Sequence, residues 1–256
     1  MSSTSAALTK NALVTGAAKR IGRAIALALA SAGYNIGVHY GQSRDDALAL
    51  VGELEALGVK ADAIQGDLSD VANIAGVIGK ARDALGPIDV LVNNASVFAD
   101  DRARNLTIDS WQMHMDTNLL APVLLSQAFA AQSDIRPGAS IINMIDQRVL
   151  KPSPPFFSYS MSKAGLWHAT RTLAQALAPN IRVNAVGPGP TLRSIHQSEK
   201  DFEREARSTL LQKPTSPEEV AAAVIYLLNA PSVTGQMICV DSGQHLNWKT
   251  LDMFDL

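Results

Sequence analysis

Tyr159 and Lys163 stand four residues apart, so on a helix they share one face. A lysine ammonium beside a phenol favours the phenolate and is expected to draw the tyrosine pKa down toward working pH. Such a pair can give or take a proton next to a carbon that receives a hydride. The pattern Y-x-x-x-K is common by chance. It gains weight here because it follows Ser140–Ile145, an apolar run expected to be the fifth strand of a sheet.

A second group with chemical meaning is Thr15-Gly16-Ala17-Ala18-Lys19-Arg20-Ile21-Gly22. A strand, then Gly16, then a helix from about Ile21 brings backbone N–H groups and a positive helix end together, which suits a pyrophosphate. The spacing is not G-x-G-x-x-G, and a glycine turn is often only a turn. The next strand sharpens the reading. An NAD site wants an acid after that strand, about 20 residues past the glycines. Here the strand ends His39-Tyr40-Gly41-Gln42-Ser43-Arg44, with no carboxylate before Asp45. A 2′-phosphate wants cations and hydroxyls instead. Lys19, Arg20, Ser43 and Arg44 supply them, unless the first two are simply solvated charges. The balance favours NADP(H) over NAD(H).

The elements that must hold these residues alternate. Strands are expected at Ala12–Thr15, Asn35–Tyr40, Ala61–Gln65, Val90–Asn93, Ser140–Ile145, Arg182–Val186 and Met237–Val240. Helices are expected at Arg23–Ala32, Asp45–Leu57, Val71–Leu85, Ser110–Gln132, Tyr159–Ala178 and Pro217–Leu228. Gly33 and Gly58 read as helix ends, Ser216-Pro217-Glu218-Glu219 as a helix start, and Pro122 as a kink. Alternation of this kind implies one Rossmann-type α/β domain over residues 1–256, a doubly wound parallel sheet of seven strands with helices on both faces. The polar segment 190–215 has no place in the sheet and reads as a lid or a surface helix.

The chain has 256 residues, 47% hydrophobic and 18% charged, enough for a sizeable core. Its net charge of −2 argues against a nucleic-acid partner. No apolar run approaches the roughly 20 residues of a membrane span, and residues 1–9 do not read as a secretory leader. Cys239 is the lone cysteine, so an internal disulfide is excluded and a reducing cytoplasm expected. The five histidines show no ligand spacing, and no metal site is expected. Asp100 and Asp101, beside Arg102 and Arg104, read as a solvated loop.

Taken in order, these motifs resemble the short-chain dehydrogenases/reductases over nearly the whole chain. The resemblance rests on the Thr15-Gly16 turn, Asp67-Leu68, Asn93-Asn94-Ala95, Asn118, Tyr159/Lys163 and Gly187-Pro188-Gly189. It implies hydride transfer from a bound nicotinamide, with Tyr159 as acid, Lys163 on the ribose and Asn118 near a proton-relay water. It also implies a cofactor contact from each of Gly16, Ile21, Gly22, His39, Tyr40, Asp67, Leu68, Asn94, Ala95, Ser96, Met144, Pro188, Gly189 and Thr191.

Two positions depart from the family pattern. Arg20 replaces a glycine of the first turn, and Asp146 replaces the serine thirteen residues before the tyrosine. A carboxylate would repel a developing oxyanion, whereas it can accept hydrogen bonds from ring nitrogens and amino groups or donate a proton if its pKa is raised. Both departures resemble the pteridine reductase branch, as do His39-Tyr40 with Ser43 and Asn94-Ala95-Ser96 with Phe98. That resemblance implies a pterin sandwiched between nicotinamide and the Phe98 ring, with Ser96 on cofactor phosphate and pterin. Asp146 and Tyr159 complete the implied substrate contacts. The bland readings are a core Phe98, a structural Ser96, and an Asp146 that caps a helix or pairs with Arg148.

The expectation is therefore an NADPH-dependent reductase of a small pteridine substrate. An NADPH-dependent carbonyl reductase is the alternative, and a non-catalytic NADP(H)-binding sensor a more remote one. Family likeness implies a homotetramer through the Ser110–Gln132 and Tyr159–Ala178 helices. The tail from Trp248, with Leu251, Met253, Phe254 and Leu256, is open to docking or fraying.

Overall fold

The computed structural model describes residues 10–194 and 197–248. Seven strands form one parallel sheet: β1 Asn11–Val14, β2 Asn35–Tyr40, β3 Ala61–Gln65, β4 Val90–Asn93, β5 Ala139–Met144, β6 Ile181–Pro188 and β7 Met237–Val240. Their spatial order is β3-β2-β1-β4-β5-β6-β7, so the winding reverses between β1 and β4. This is the doubly wound Rossmann-type arrangement expected from the alternation. Carboxyl ends of strands at such a reversal leave a crevice where ligands bind.

The strands are apolar on both faces, and the two faces have separate covers. Ala12, Val14, Ile36, Val38 and Val92 meet α1 (Arg20–Ser31), α2 (Arg44–Ala56) and α8 (Pro217–Leu228). Leu13, Leu91, Ile141 and Val183 point the other way, toward α3 (Ile74–Leu85), α5 (Ala121–Ala130) and α6 (Phe157–Leu177). Two further helices, α4 (Ile108–Met115) and α7 (Glu199–Arg207), lie beside the carboxyl edge. Full burial of one such leucine or isoleucine contributes about 1.5–3 kcal/mol.

Punctuation follows the sequence at several ends. Gly33 and Gly58 both take φ +85° just past their helices, where a side chain would be strained. Ser216 and Glu219 cap α8 reciprocally.

Two elements differ from expectation. The helix expected over Ser110–Gln132 is interrupted by a wide turn, Asp116–Leu120, closed by the N–H of Ala121 on the carbonyl of Asp116. Pro122 lies directly after that turn, at the start of α5. The helix expected from Val71 begins only at Ile74. The 190–215 segment, expected as a lid or a surface helix, contains the helix α7, capped by Ser198 and Asp201. Leu251, Met253, Phe254 and Leu256 of the tail lie outside the described residues; Trp248 is exposed. No helix among the described residues is long and apolar enough to cross a membrane.

Candidate active site

The crevice begins where β1 and β4 end. The Thr15 hydroxyl accepts from the N–H groups of Asn94 and Ala95 at 2.9 and 3.0 Å. Asn94 Nδ2 donates to the carbonyls of Thr15 and Gly16 at 2.8 and 3.1 Å. These bonds fix the glycine turn against the neighbouring loop. The packing is so close that a Cβ on Gly22 would lie 2.3 Å from the Gly16 oxygen. Gly16 itself has φ +60°. Across the sheet end, a Cβ on Gly189 would lie 2.6 Å from Asp241 Cα. Both glycines are there because backbone approaches backbone.

Helix α1 starts in this crevice with no side chain capping it and no acid in its first turn. Its orphan N–H groups and positive end suit an anion. Gly16, Lys19, Arg20, Ile21 and Gly22 line the resulting cavity of about 510 Å³. On its other walls are Asn94, Ala95, Ser96, Met144 and, beyond them, Pro188, Gly189 and Thr191. These are the expected cofactor residues, brought together from four strand ends.

Arg20 has φ +56°, the left-handed region where a side chain is strained and glycine is at ease. Its guanidinium donates to the carbonyls of Leu192 and Arg193, both at 3.1 Å, tying the turn to the loop after β6. Lys19 is paired with Asp46 of α2 at 2.8 Å, on the surface.

The remaining expected cofactor residues lie apart from the cavity lining. His39 is buried; its Nδ1 accepts from the Gly16 N–H at 3.2 Å and its Nε2 faces the Gly66 carbonyl at 3.1 Å. Burial pushes its pKa down to about 4, so the ring is neutral and braces the turn. Tyr40 is buried, Ser43 half-buried at the start of α2, and Leu68 buried in the lower core. Asp67 is exposed and accepts from the Ser69 N–H and hydroxyl, which hold its pKa below the usual carboxylate range.

At the far end of the cavity, α6 begins. Tyr159 Oη donates to Asp146 Oδ2 at 2.9 Å, and Asp146 Oδ1 accepts from the Arg148 N–H at 2.8 Å. Asp146 thus both caps a short turn and holds the phenol. Lys163 Nζ donates to the Met144 carbonyl at 2.9 Å and stands 5.7 Å from the Tyr159 ring centre. Burial lowers the lysine pKa to about 8, against the pull of Asp146. The expected lowering of the tyrosine pKa is not found. Burial raises it first, and the Asp146 charge and hydrogen bond raise it further. The phenol is a held donor.

Asn118 occupies the wide turn between α4 and α5 and is fully buried. Its Oδ1 accepts from Val97 N at 2.8 Å and Ser96 Oγ at 3.1 Å; its Nδ2 donates to Val97 O at 2.9 Å and Ser162 Oγ at 3.2 Å. It therefore fastens the Ser96 loop to α6 from behind the cavity. Wide turns of this kind recur at functional sites because they re-aim one residue without ending the helix.

Phe98 lines the cavity, its ring stacked on Phe156 at 4.2 Å and 22°, and edge-on to Tyr159 at 4.7 Å. The loop carrying it is pinned by Asp101, which is buried and not solvated as expected. Asp101 accepts from the Ser158 N–H at 2.9 Å, from the Ser158 hydroxyl, and from Ser110 Oγ at 2.9 Å. An acid at a helix start satisfies orphan donors, and here it comes from a distant loop.

Sequence reasoning missed Phe156, Gln147 and Glu205 as cavity residues and took Arg148 only as a partner for Asp146. Phe156 stands just before α6 in the left-handed region, φ +57°, so helical spacing from Tyr159 did not mark it. Glu205 carried no signal: its segment read only as a lid or a surface helix, and nothing local turns it toward the cavity. Among the described residues no cluster of His, Cys, Asp or Glu could hold a metal ion.

A family model described as enoyl-(acyl carrier protein) reductase matches residues 16–245. A 3-oxoacyl-[acyl-carrier-protein] reductase of Staphylococcus aureus is 34% identical over 244 residues, 93% of this chain and 99% of that one. Among solved structures, FolM alternative dihydrofolate reductase 1 of Brucella canis, complexed with NADP, matches with a TM-score of 0.92 and 43% identity, covering 96% of this chain and 97% of that one. A blue fluorescent protein from a metagenomic library, in complex with NADPH, matches with a TM-score of 0.85 and 33% identity, covering 92% and 97%.

Proposed function

The chain belongs to the short-chain dehydrogenase/reductase family, and on that premise we propose that it uses NADPH to reduce a C=N bond of a pteridine. It is an NADP-dependent oxidoreductase; its solved relatives at 43% and 33% identity hold NADP and NADPH. The residues fit such a dinucleotide. An uncapped helix start for the pyrophosphate, the Gly22 cradle a Cβ would fill, and Arg20 beside them are what an anionic cofactor requires.

The observation that carries the pteridine reading is Asp146 where the family pattern has serine, hydrogen-bonded to Tyr159 beside the Phe98 ring. When bound, NADPH would supply the hydride needed at the carbon of the C=N bond. Phe98 offers an aromatic edge and face to a flat heteroaromatic ring. Asp146 accepts from ring N–H or amino groups, and would face a ketone oxygen with a like partial charge. Tyr159 and Asp146 hold one proton between them, at the place where the ring nitrogen needs it. Lys163, charged below about pH 8, adds a cation beside that pair. Asn118 keeps the Ser96 loop and α6 in register.

The likeness to a FolM alternative dihydrofolate reductase at 43% identity supports this reading. A second reading is carbonyl reduction, supported by the 3-oxoacyl-[acyl-carrier-protein] reductase relatives at 34% identity. A homotetramer through the α4–α5 and α6 surfaces belongs to the proposal, supported by exposed Ile108, Met113 and Met161 there. The test follows NADPH absorbance, and separately NADH, with a dihydropterin, an oxidised pterin and a ketone panel. Rapid NADPH-dependent loss with a pterin is expected. Turnover of ketones alone would leave the family and cofactor standing and remove the pteridine.

A further inference from the structure

His114 of α4 is fully buried between the loop after β4 and the start of α6. Its Nε2 accepts from the Ala99 N–H at 3.1 Å, next to Phe98. Its Nδ1 faces the Ser110 carbonyl at 2.9 Å and Ser158 Oγ at 2.7 Å, next to Tyr159. An amide N–H can only donate and a carbonyl can only accept, so the ring proton sits on Nδ1. Burial lowers the His114 pKa, over the opposing pull of the Ser110 carbonyl and Asp101, and keeps the ring in that neutral form. The Ser158 hydroxyl extends the chain by donating to Asp101.

A serine, a histidine and an aspartate in contact ordinarily suggest a nucleophile. Here the serine donates to the carboxylate and receives from the ring, the reverse of activation, and Ser158 is fully buried. We propose instead that His114 is a positioning residue for the reduction, holding the Phe98 ring and the Tyr159 phenol in one fixed relation. The proposal rests on the pteridine reading, in which the substrate stacks on Phe98 while Tyr159 and Asp146 hold its proton.

Neither segment is fixed by its own backbone. Phe98 and Ala99 lie in a stretch with no helix or strand, and Tyr159 is in the first turn of α6, where N–H groups lack intrahelical partners. Helix α4 is the common frame. His114 hangs from it, and Ser110, one turn earlier, donates to Asp101 at 2.9 Å. The His114 ring also lies 6.1 Å from the Tyr159 ring, nearly perpendicular at 74°. Hydride and proton delivery tolerate little error, since a displacement of about 1 Å can cost roughly 10²-fold in rate.

The two ends of the ring can be removed separately. An asparagine amide ends near the place of Nδ1, a glutamine amide near that of Nε2, so kinetics with NADPH and a dihydropterin should split. His114→Asn keeps a partner for Ser158 and leaves the Ala99 N–H unpaired; it should raise the pterin KM about tenfold and change kcat by no more than about twofold. His114→Gln keeps the Ala99 bond and gives up Ser158; it should lower kcat about tenfold and leave KM nearly unchanged. NADPH affinity, by fluorescence titration, should hold in both. In a Phe98→Leu background His114→Asn should no longer move KM, because the ring it acts through is gone. No change in either variant, parallel losses in both, loss of NADPH binding, or a KM effect that survives Phe98→Leu would overturn the positioning role and leave the pteridine reading intact. No pterin turnover by the unsubstituted protein would overturn that reading and this role with it.

Discussion

The Tyr159 hydroxyl donates to Asp146 Oδ2 at 2.9 Å, so the acid of the family and its most unusual substitution are one hydrogen-bonded unit. Removing either end should have different consequences. Tyr159→Phe keeps the ring packing against Phe98 and should lower kcat by about 10²–10⁴-fold, the usual worth of a positioned acid. NADPH affinity, measured by fluorescence titration, should be unchanged. Asp146→Ser should lower pteridine turnover and raise ketone turnover, because the repelling carboxylate is gone. A rise in both activities would contradict this assignment.

Lys163 sets the alkaline limit. Its pKa of about 8 lies below the usual 10.5, since burial disfavours the ammonium. The charge is present below that value and is lost as pH rises through it. The rate profile should therefore fall above about pH 8, roughly tenfold per pH unit for one ionisation. Lys163→Met should be slow at every pH and lack that limb.

His39 sets an acid limit on stability. Burial lowers its folded pKa from the ordinary 6.5 to about 4, so the unfolded chain binds the extra proton in between. Stability is full above 6.5 and is lost as pH falls toward 4, by about 3 kcal/mol in total. Urea midpoints at pH 7 and pH 5 should show the fall, and His39→Gln should flatten it.

Arg20 holds a left-handed φ of +56° where glycine would be relaxed. Arg20→Gly relieves strain of about 1–2 kcal/mol, but the freer unfolded chain returns roughly 0.4–1 kcal/mol of that. The melting temperature should change little. The KM for NADPH should rise about tenfold or more while that for NADH does not, since a charge-assisted bond to phosphate is lost. Equal losses with both cofactors would remove Arg20 from phosphate recognition.

Much of this was legible in the chain itself. Apolar runs buried on both sides, separated by amphipathic segments, determine a parallel sheet, because nothing else covers two apolar faces at once. Gly16, Gly22, Tyr159 and Lys163 were readable because their constraints are local: a φ, a close approach, a helical spacing of four. The tertiary structure decided what distance and solvent control. Asp101 looked like a solvated charge and caps α6 from 57 residues away. His39 was readable only as a cofactor contact, and the fold adds that it is buried under the Gly16 turn, which it braces. The Tyr159 pKa rises where spacing alone predicted a fall, because burial and Asp146 outweigh a lysine 5.7 Å from the ring. Glu205 joins the site only because α7 folds back over it. Local conformation is written in neighbouring residues, but burial and electrostatic balance exist only once distant segments have displaced the water between them.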